Sequence, residues 1–78
     1  MKLELFKKDS CPYCVRVMML VDELGVGDKI EYRDIARDAD ARRRLLEVGG
    51  KQQVPCLFID GEPLYESADI MRWMRENL

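Results

Sequence analysis

The order of strand-like and helix-like segments in the first half of the chain restricts the folds that it can adopt. The apolar pattern of residues 2–6 predicts a short strand with two leucines on one face. A helix should follow, because Pro12 suits a first helical position, where its missing N–H would be unbonded anyway, and Gly25 offers an end. The alternation in KIEYRDI, residues 29–35, predicts a second strand. Two strands joined through a helix pair in parallel, so this half predicts a βαβ unit.

The second half of the chain predicts a helix, a hairpin and a final helix. Apolar residues recur at helical spacing over 38–48, and Gly49-Gly50 ends this helix. Two short strands flank Asp60-Gly61, a dipeptide that favours a tight hairpin turn. The last helix starts at Ser67, which we assign as its N-cap. The chain is therefore predicted to form one domain over residues 1–78, in the order βαβ, helix, ββα.

The predicted helices differ in how much of their surface is apolar. The first is apolar on most sides, so we expect it to be largely buried. The other two carry a single apolar stripe each. The apolar residues of the three helices are, in order, Val15, Val17, Met18, Met19, Leu20, Val21 and Leu24; Ala41, Leu45 and Val48; and Ile70, Met71, Met74 and Leu78. The arginines of ARRRLLE at 41–47 are predicted to be a solvated helix face rather than a docking patch for an acidic partner.

Composition and charge exclude several classes of function. With 13 basic and 15 acidic residues, the net charge of −2 gives no global reason to bind nucleic acid or an anionic membrane. No apolar run approaches the roughly 20 residues that span a bilayer, and the first residues lack the apolar stretch of a signal peptide. Three cysteines, an odd number, do not suit a secreted disulfide framework. We therefore expect a cytoplasmic protein with no nucleic-acid or membrane partner.

Two cysteines, Cys11 and Cys14, lie where the first predicted strand meets the first helix. Free N–H groups and the helix dipole at this point favour an anion, and the reactive form of cysteine is the anionic thiolate. The three-residue spacing places both thiols on one helix face, with about 5–6 Å between Cβ atoms. Cys14 lies one turn deeper, where fewer free N–H groups point at it. We predict Cys11 as the exposed nucleophile and Cys14 as its resolving partner.

Two other interpretations of this cysteine pair fit the sequence less well. A structural zinc site needs two further cysteine or histidine ligands, and the chain has no histidine and only Cys56 left, so we expect no metal. A structural disulfide would close a four-residue loop, for which the stabilising entropy is smallest. A C-x-x-C pair in a βαβ unit is typical of a redox dithiol. Cys56 itself is expected to be buried and inert, with a redox role as its alternative.

Three motifs, in this order along the chain, resemble those of the glutaredoxin family: CPYC at 11–14, QVPCLFIDG at 53–61 and ESADI at 66–70. The similarity covers essentially the whole chain. It implies an α/β thioredoxin fold, with a central four-stranded mixed sheet flanked by three helices. It also implies glutathione as reductant and co-substrate.

This resemblance implies a glutathione-dependent thiol–disulfide oxidoreductase, expected to be a monomer, that acts on glutathionylated or disulfide-containing proteins. Cys11 would attack the mixed disulfide and Cys14 would resolve the adduct. Val54-Pro55 matches the family's cis-proline segment, whose backbone pairs with the cysteinyl unit of glutathione. The residues implied for glutathione binding are Lys8, Tyr13, Lys51, Gln53, Val54, Pro55, Ser67 and Asp69.

The match departs from the family at two places. Gln53 replaces a threonine often found there, and YESAD at 65–69 replaces a Gly-Gly pair followed by a small and two acidic residues. By position, Ser67 and Asp69 fit the pocket for the γ-glutamyl group, although both residue types also serve simply as a helix N-cap and a first-turn acid. Glu-Ser before a helix is also typical of glutathione transferases. We expect that interpretation to be weaker, because those enzymes carry an all-helical second domain and do not generally need a C-x-x-C pair.

Two alternative functions stay open from the sequence. The chain could be a redoxin reduced directly by a thioredoxin reductase, which its compactness would suit. It could also be a non-enzymatic module that holds glutathione, or an iron–sulfur cluster between two protomers.

Overall fold

The computed structural model describes all residues, 1–78, and contains a four-stranded sheet and three helices. A short 3₁₀ turn, Gly27–Lys29, precedes the second strand, and a π-helical turn, Leu45–Gly49, continues the second helix. None of the helices combines the length and apolar composition needed to cross a membrane. The strands are β1 (Leu3–Lys7), β2 (Ile30–Asp34), β3 (Cys56–Ile59) and β4 (Glu62–Tyr65), and the helices are α1 (Pro12–Leu24), α2 (Ala39–Arg44) and α3 (Ser67–Asn77).

The sheet has the strand order β2-β1-β3-β4. Strand β1 pairs in parallel with β2, with Leu3 opposite Ile30, and antiparallel with β3, with Leu3 opposite Ile59. Strands β3 and β4 form the predicted hairpin, whose turn residues Asp60 and Gly61 have φ angles of 49° and 87°. Both angles lie in the left-handed region that a two-residue hairpin turn uses. The predicted mixed sheet of four strands with three helices is therefore confirmed.

Alternate residues of β1 face two different apolar layers. Leu3 and Leu5 belong to a core that includes buried residues of α1 and α3. Phe6 belongs to a second core beneath α2, where its ring centroid lies 4.5 Å from that of Phe58. Helices thus cover both faces of the sheet, and the carboxyl end of β1 leads directly to Cys11.

Helix α1 is less buried than its apolar composition predicts. Met19 is 64% exposed and Val15 is 37% exposed. Helix α1 packs against the sheet and against α3, so its outer side has no further layer to cover it. The expectation of a largely buried helix is wrong for this side. The buried side consists of Cys14, Val17, Leu20 and Val21.

The second helix departs from a regular helical stripe at its carboxyl end. Ala41 and Leu45 are fully buried as predicted, but Val48 is 47% exposed. From Leu45 to Gly49 the backbone forms a π-helical turn, which bonds i to i+5 and so changes the direction of later side chains. The chain then ends the helix at Gly50, with φ of 87°, so the predicted stop at Gly49-Gly50 is confirmed.

Arg44 does not lie on a solvated face, in contrast to the prediction for the ARRRLLE segment. Its guanidinium donates two hydrogen bonds to Glu4, at 3.2 Å from Nε to Oε1 and 2.8 Å from Nη2 to Oε2. The Glu4 side chain is 3% exposed, in the middle of β1, and that of Arg44 is 35% exposed. Burial raises the pKa of Glu4, but the hydrogen bond and charge of Arg44, with the charges of Lys2 and Arg33, hold it below its ordinary 4.5. The sequence pattern could not show this pair, because its members are 40 residues apart.

Candidate active site

Cys11 occupies the N-cap position of α1. Its backbone is extended, with φ of −91° and ψ of 116°, and Pro12 is the first helical residue. The Cys11 carbonyl accepts a hydrogen bond from the Val15 N–H at 3.0 Å, and its own N–H donates to the Lys8 carbonyl at 3.2 Å. No side chain caps the helix. The free N–H groups of the first turn are therefore available to the Cys11 sulfur.

The two thiols differ in exposure and acidity as the sequence predicts. Cys11 is partly exposed and Cys14 is fully buried. Burial raises the pKa of Cys11, but hydrogen bonds from the backbone and thiol of Cys14 and from the Tyr13 backbone, with the charge of Lys8, bring it below its ordinary 9.0. Burial also raises the pKa of Cys14, and the nearby Cys11 raises it further, to about 11, against the opposing effect of Lys8. At neutral pH the thiolate therefore forms preferentially at Cys11.

A cavity of about 410 Å³ opens beside the first turn of α1. Its lining consists of Tyr13, Gln53, Val54, Pro55, Glu66 and Ser67. The Cys11 sulfur lies 3.9 Å from the carbonyl oxygen of Val54. The Val54-Pro55 peptide bond is cis, as the family resemblance implies. The Cys11 sulfur thus lies at the edge of a cavity that is large enough for a small molecule.

Five of the eight residues predicted for glutathione binding line this cavity, and three do not. Lys8 is half-buried and its ammonium forms no ion pair or hydrogen bond. Lys51 is exposed, with its Nζ 5.0 Å from the centre of the Tyr65 ring. The Asp69 carboxylate accepts a hydrogen bond from Arg72 at 2.7 Å. The structure thus brings together Tyr13, Gln53, Val54, Pro55 and Ser67, and leaves Lys8, Lys51 and Asp69 outside the lining.

Glu66 lines the cavity although the sequence analysis did not assign it a role. It occupies the N-cap position of α3 with φ of 73° and ψ of 119°, and Ser67, the predicted N-cap, is the first helical residue. A positive φ is unusual for a residue with a long side chain. The Glu66 carboxylate accepts a hydrogen bond from Nε2 of Gln53 at 3.1 Å, which joins two walls of the cavity. In the sequence, the one indication of a role for Glu66 is its position directly before Ser67.

Cys56 is fully buried, as predicted for an inert thiol. Burial raises its pKa to about 11, even though the Tyr65 hydroxyl, the Leu64 backbone and the charge of Lys51 act in the opposite direction. A buried thiol with a raised pKa is a poor nucleophile. No group of three or more cysteine, histidine, aspartate or glutamate side chains converges as metal ligands in this chain.

Comparison with known proteins gives a consistent result. Residues 10–77 match the family model described as glutathione S-transferase, N-terminal domain. Glutaredoxin 1 of Escherichia coli is 31% identical over an alignment of 83 positions, which covers 100% of this chain and 98% of that protein. Among solved structures, the thioredoxin-like protein BC3987 matches with a TM-score of 0.82 and 30% identity, covering 99% of this chain and 100% of that one. A buckwheat glutaredoxin–glutathione complex matches with a TM-score of 0.72 and 30% identity, covering 95% of this chain and 68% of that one.

The fold and the sequence relatives point to the same group of proteins. The strand order and the three helices agree with those of the thioredoxin-like neighbours, so the chain has a thioredoxin fold. The Escherichia coli relative matches over nearly its full length, and the matched region includes the Cys11 and Cys14 helix and the Val54-Pro55 segment. On this evidence the chain belongs to the glutaredoxin family.

Proposed function

We propose that this chain is a glutathione-dependent thiol–disulfide oxidoreductase that uses Cys11 as nucleophile and Cys14 as resolving thiol. The observation that carries the proposal is the position of the partly exposed Cys11 sulfur, 3.9 Å from the Val54 carbonyl at the edge of the cavity. The buckwheat relative, which forms a complex with glutathione, supports glutathione as the ligand.

In the first reaction the substrate is a mixed disulfide between a thiol, RSH, and glutathione. The Cys11 thiolate attacks the glutathione sulfur, a new Cys11–glutathione disulfide forms, and the bond between the two substrate sulfurs breaks. The RS⁻ leaving group takes a proton from solvent. A second glutathione, as its thiolate, then attacks the glutathione sulfur of the adduct, which releases oxidised glutathione and restores the Cys11 thiolate.

A protein disulfide requires Cys14 as well. Cys11 forms a mixed disulfide with the protein, and Cys14 attacks the Cys11 sulfur, which releases the reduced protein and leaves a Cys11–Cys14 disulfide. Two glutathione molecules reduce this disulfide and are oxidised. Besides burial, the charge of Cys11 keeps Cys14 protonated in the resting dithiol. Once Cys11 is bonded to substrate that charge is gone, so Cys14 ionises more readily at the moment when it is needed.

The cavity residues would hold glutathione so that its sulfur meets Cys11. The backbone of Val54, which lines the cavity, would offer hydrogen bonds to an extended ligand in the manner of an added strand. Lys8, three residues before Cys11, and Lys51, two residues before the cavity residue Gln53, form no ion pair and would attract the glycine carboxylate. Ser67 would bind the γ-glutamyl carboxylate, while Asp69 would have to leave Arg72, its partner at 2.7 Å, to meet the ammonium group.

Substrates and location are part of the same proposal. Glutathionylated proteins and proteins with accessible disulfides are the expected partners, and the chain is expected to act as a monomer. Its three unpaired cysteines suit the reducing cytoplasm, where thiols stay reduced.

Single cysteine variants test the two roles. We expect Cys11→Ser to abolish the reduction of both a glutathionylated peptide and a protein disulfide, with glutathione as electron donor. Cys14→Ser should keep the first activity and lose the second, because only the second needs an intramolecular thiol. Cys56→Ala is the matched control and should keep both. Loss of the first activity in a folded Cys14→Ser protein would show that the roles are wrong, and turnover with a thioredoxin reductase but not with glutathione would favour a different redoxin.

A further inference from the structure

We propose that Tyr65 is a positioning residue for glutathione. Its side chain does not line the cavity, but it fixes the main-chain segment that forms one cavity wall. The proposal rests on the proposed function, because it takes glutathione as the ligand of this cavity.

The hydroxyl of Tyr65 forms hydrogen bonds with both backbone polar groups of Lys51, the carbonyl and the N–H. It donates to the Lys51 carbonyl at 2.9 Å and accepts from the Lys51 N–H at 3.3 Å. The backbone of Tyr65 lies opposite Cys56 in the β3–β4 ladder. The segment between Lys51 and Cys56 is therefore held at both ends by Tyr65, through the side chain at one end and through the strand at the other.

This segment has no helix or strand of its own to hold it in place. It contains Gln53, Val54 and Pro55, which form one wall of the cavity. The opposite wall, Glu66 and Ser67, directly follows Tyr65 in the chain. The position of Tyr65 thus determines how far apart the two walls stand, with the 3.1 Å bond between Gln53 and Glu66 as a second link.

Gly49 makes room for this hydroxyl. A Cβ atom at position 49 would collide with the Tyr65 hydroxyl, whereas the next nearest atoms, Cζ of Tyr65 and Cδ1 of Leu45, would lie 3.3 and 3.5 Å away. An alanine at position 49 is therefore excluded mainly by one oxygen atom. Gly49 and the Tyr65 hydroxyl form a matched pair, and this pair gives the proposal a test that does not depend on Tyr65 alone.

The phenol ring has a second contact with the same residue. The ammonium of Lys51 lies 5.0 Å from the ring centre, which is within the range of a cation–π interaction. A phenylalanine at position 65 keeps this ring and the packing, and removes the hydroxyl with its two hydrogen bonds to Lys51 and its interaction with the buried Cys56 thiol. Tyr65→Phe therefore releases the Lys51 backbone, and Cys56→Ala, assayed beside it, shows any contribution from the Cys56 thiol.

The test compares two substrates in purified Tyr65→Phe protein. For a glutathionylated peptide with glutathione as reductant, we expect KM to rise roughly three- to tenfold, as the loss of two modest hydrogen bonds allows, with kcat changed by less than about twofold. For a peptide disulfide without glutathione, reduced by dithiothreitol, the rate should not change. Tyr32→Phe, the same chemical change on the opposite edge strand β2, is the control and should leave both reactions unaltered.

A double-mutant cycle with Gly49→Ala completes the test. Gly49→Ala alone should raise KM for the glutathionylated peptide as Tyr65→Phe does, because the new methyl group displaces the hydroxyl from Lys51. In the double variant the hydroxyl is absent, so Gly49→Ala should add little to the effect of Tyr65→Phe. Thermal unfolding of each variant checks that the proteins are folded at the assay temperature.

Two results would overturn the proposal. One is an unchanged KM in folded Tyr65→Phe, and the other is an equal loss with both substrates, which would indicate a general structural role. Additive effects of the two substitutions would also contradict the matched pair. A wild-type protein that cannot use glutathione at all would instead refute the proposed function, and the wild-type reaction in the same series shows which of the two has failed.

Discussion

The hydrogen-bonded pair of Glu4 and Arg44 predicts a large and pH-dependent loss of stability when the arginine is removed. Arg44→Met keeps much of the aliphatic side chain but leaves the Glu4 carboxylate, 3% exposed, without its two hydrogen bonds. Lys2 remains 3.8 Å from that carboxylate, but its side chain is 64% exposed and compensates little. The variant therefore has a nearly unpaired buried charge.

The size of the effect follows from this burial. Breaking a buried ion pair by removing one partner costs about 3–5 kcal/mol. We take about 3 kcal/mol, the lower end of that range, since water reaches the Arg44 side of the pair at 35% exposure. For a domain of this size, 1 kcal/mol corresponds to about 4–8 °C in Tm, so the expected fall is about 12–24 °C. Arg42→Met, which removes an exposed arginine with no ion pair, is the control and should change Tm little.

The pH dependence separates this explanation from lost packing. In the wild type the pKa of Glu4 is held below 4.5, so its stabilising contribution is complete above that pH and is lost as the pH falls through the folded pKa. In Arg44→Met the unpaired Glu4 carboxylate should take up its proton at a higher pH than in the wild type. Near pH 4 more of the variant should therefore have a neutral Glu4, without a buried charge. The difference in stability between the two proteins should therefore be smaller at pH 4 than at pH 7.

Thermal and denaturant unfolding, followed by circular dichroism at both pH values, measure the effect. If Arg44→Met lowers Tm at pH 7 by less than about 4 °C, which corresponds to less than about 1 kcal/mol, the reasoning is refuted. So would a difference that does not change with pH. The double variant Glu4→Leu with Arg44→Met should lose less stability than Arg44→Met alone, because no charge is then buried.

Two further predictions concern a charge at the active site and a backbone turn. Lys8→Gln should raise the pKa of Cys11 by removing a positive charge, so that alkylation by iodoacetamide at pH 7 becomes slower than in the wild type. Lys29→Gln is the control. Equal alkylation rates for the wild type and both variants would contradict a role for Lys8. Gly61→Ala should destabilise the protein by about 1 kcal/mol, since φ there is 87°. Chemical denaturation measures this. Gly27→Ala is the control and should cost less, because both positions have open space for a methyl group but only Gly61 has a positive φ.

The order of elements and the asymmetry of the two thiols could be predicted from local signals. Pro12, Gly25 and Asp60-Gly61 each have a restricted or permissive backbone, so they mark helix and turn boundaries wherever they occur. The lowered pKa of Cys11 depends on the free N–H groups at the helix start, whereas the raised pKa of Cys14 comes mainly from its burial in the folded protein. The boundary signals and the helix start depend on neighbours within one turn of helix, and a sequence shows such neighbours directly.

The features that could not be predicted depend on which elements meet in space. Met19 is as apolar as its buried neighbours, but whether a helix side is covered depends on the layers of the whole fold. The partner of Arg44 lies on a distant strand, and no local pattern indicates it. Glu66 adopts a positive φ that its residue type disfavours, because the turn from β4 into α3 requires it. In each case tertiary contacts override a local preference.

The position of β1 between β2 and β3 has a consequence for how the site comes into existence during folding. The first half of the chain contains both active-site thiols, and the second half contains all but one of the residues that line the cavity. The two halves share one ladder in the sheet, in which residues 3–6 pair with residues 56–59. Because such long-range pairing forms late relative to local helices, we expect the helix that carries Cys11 and Cys14 to form before the cavity, and the proposed glutathione site to be complete only when this ladder closes.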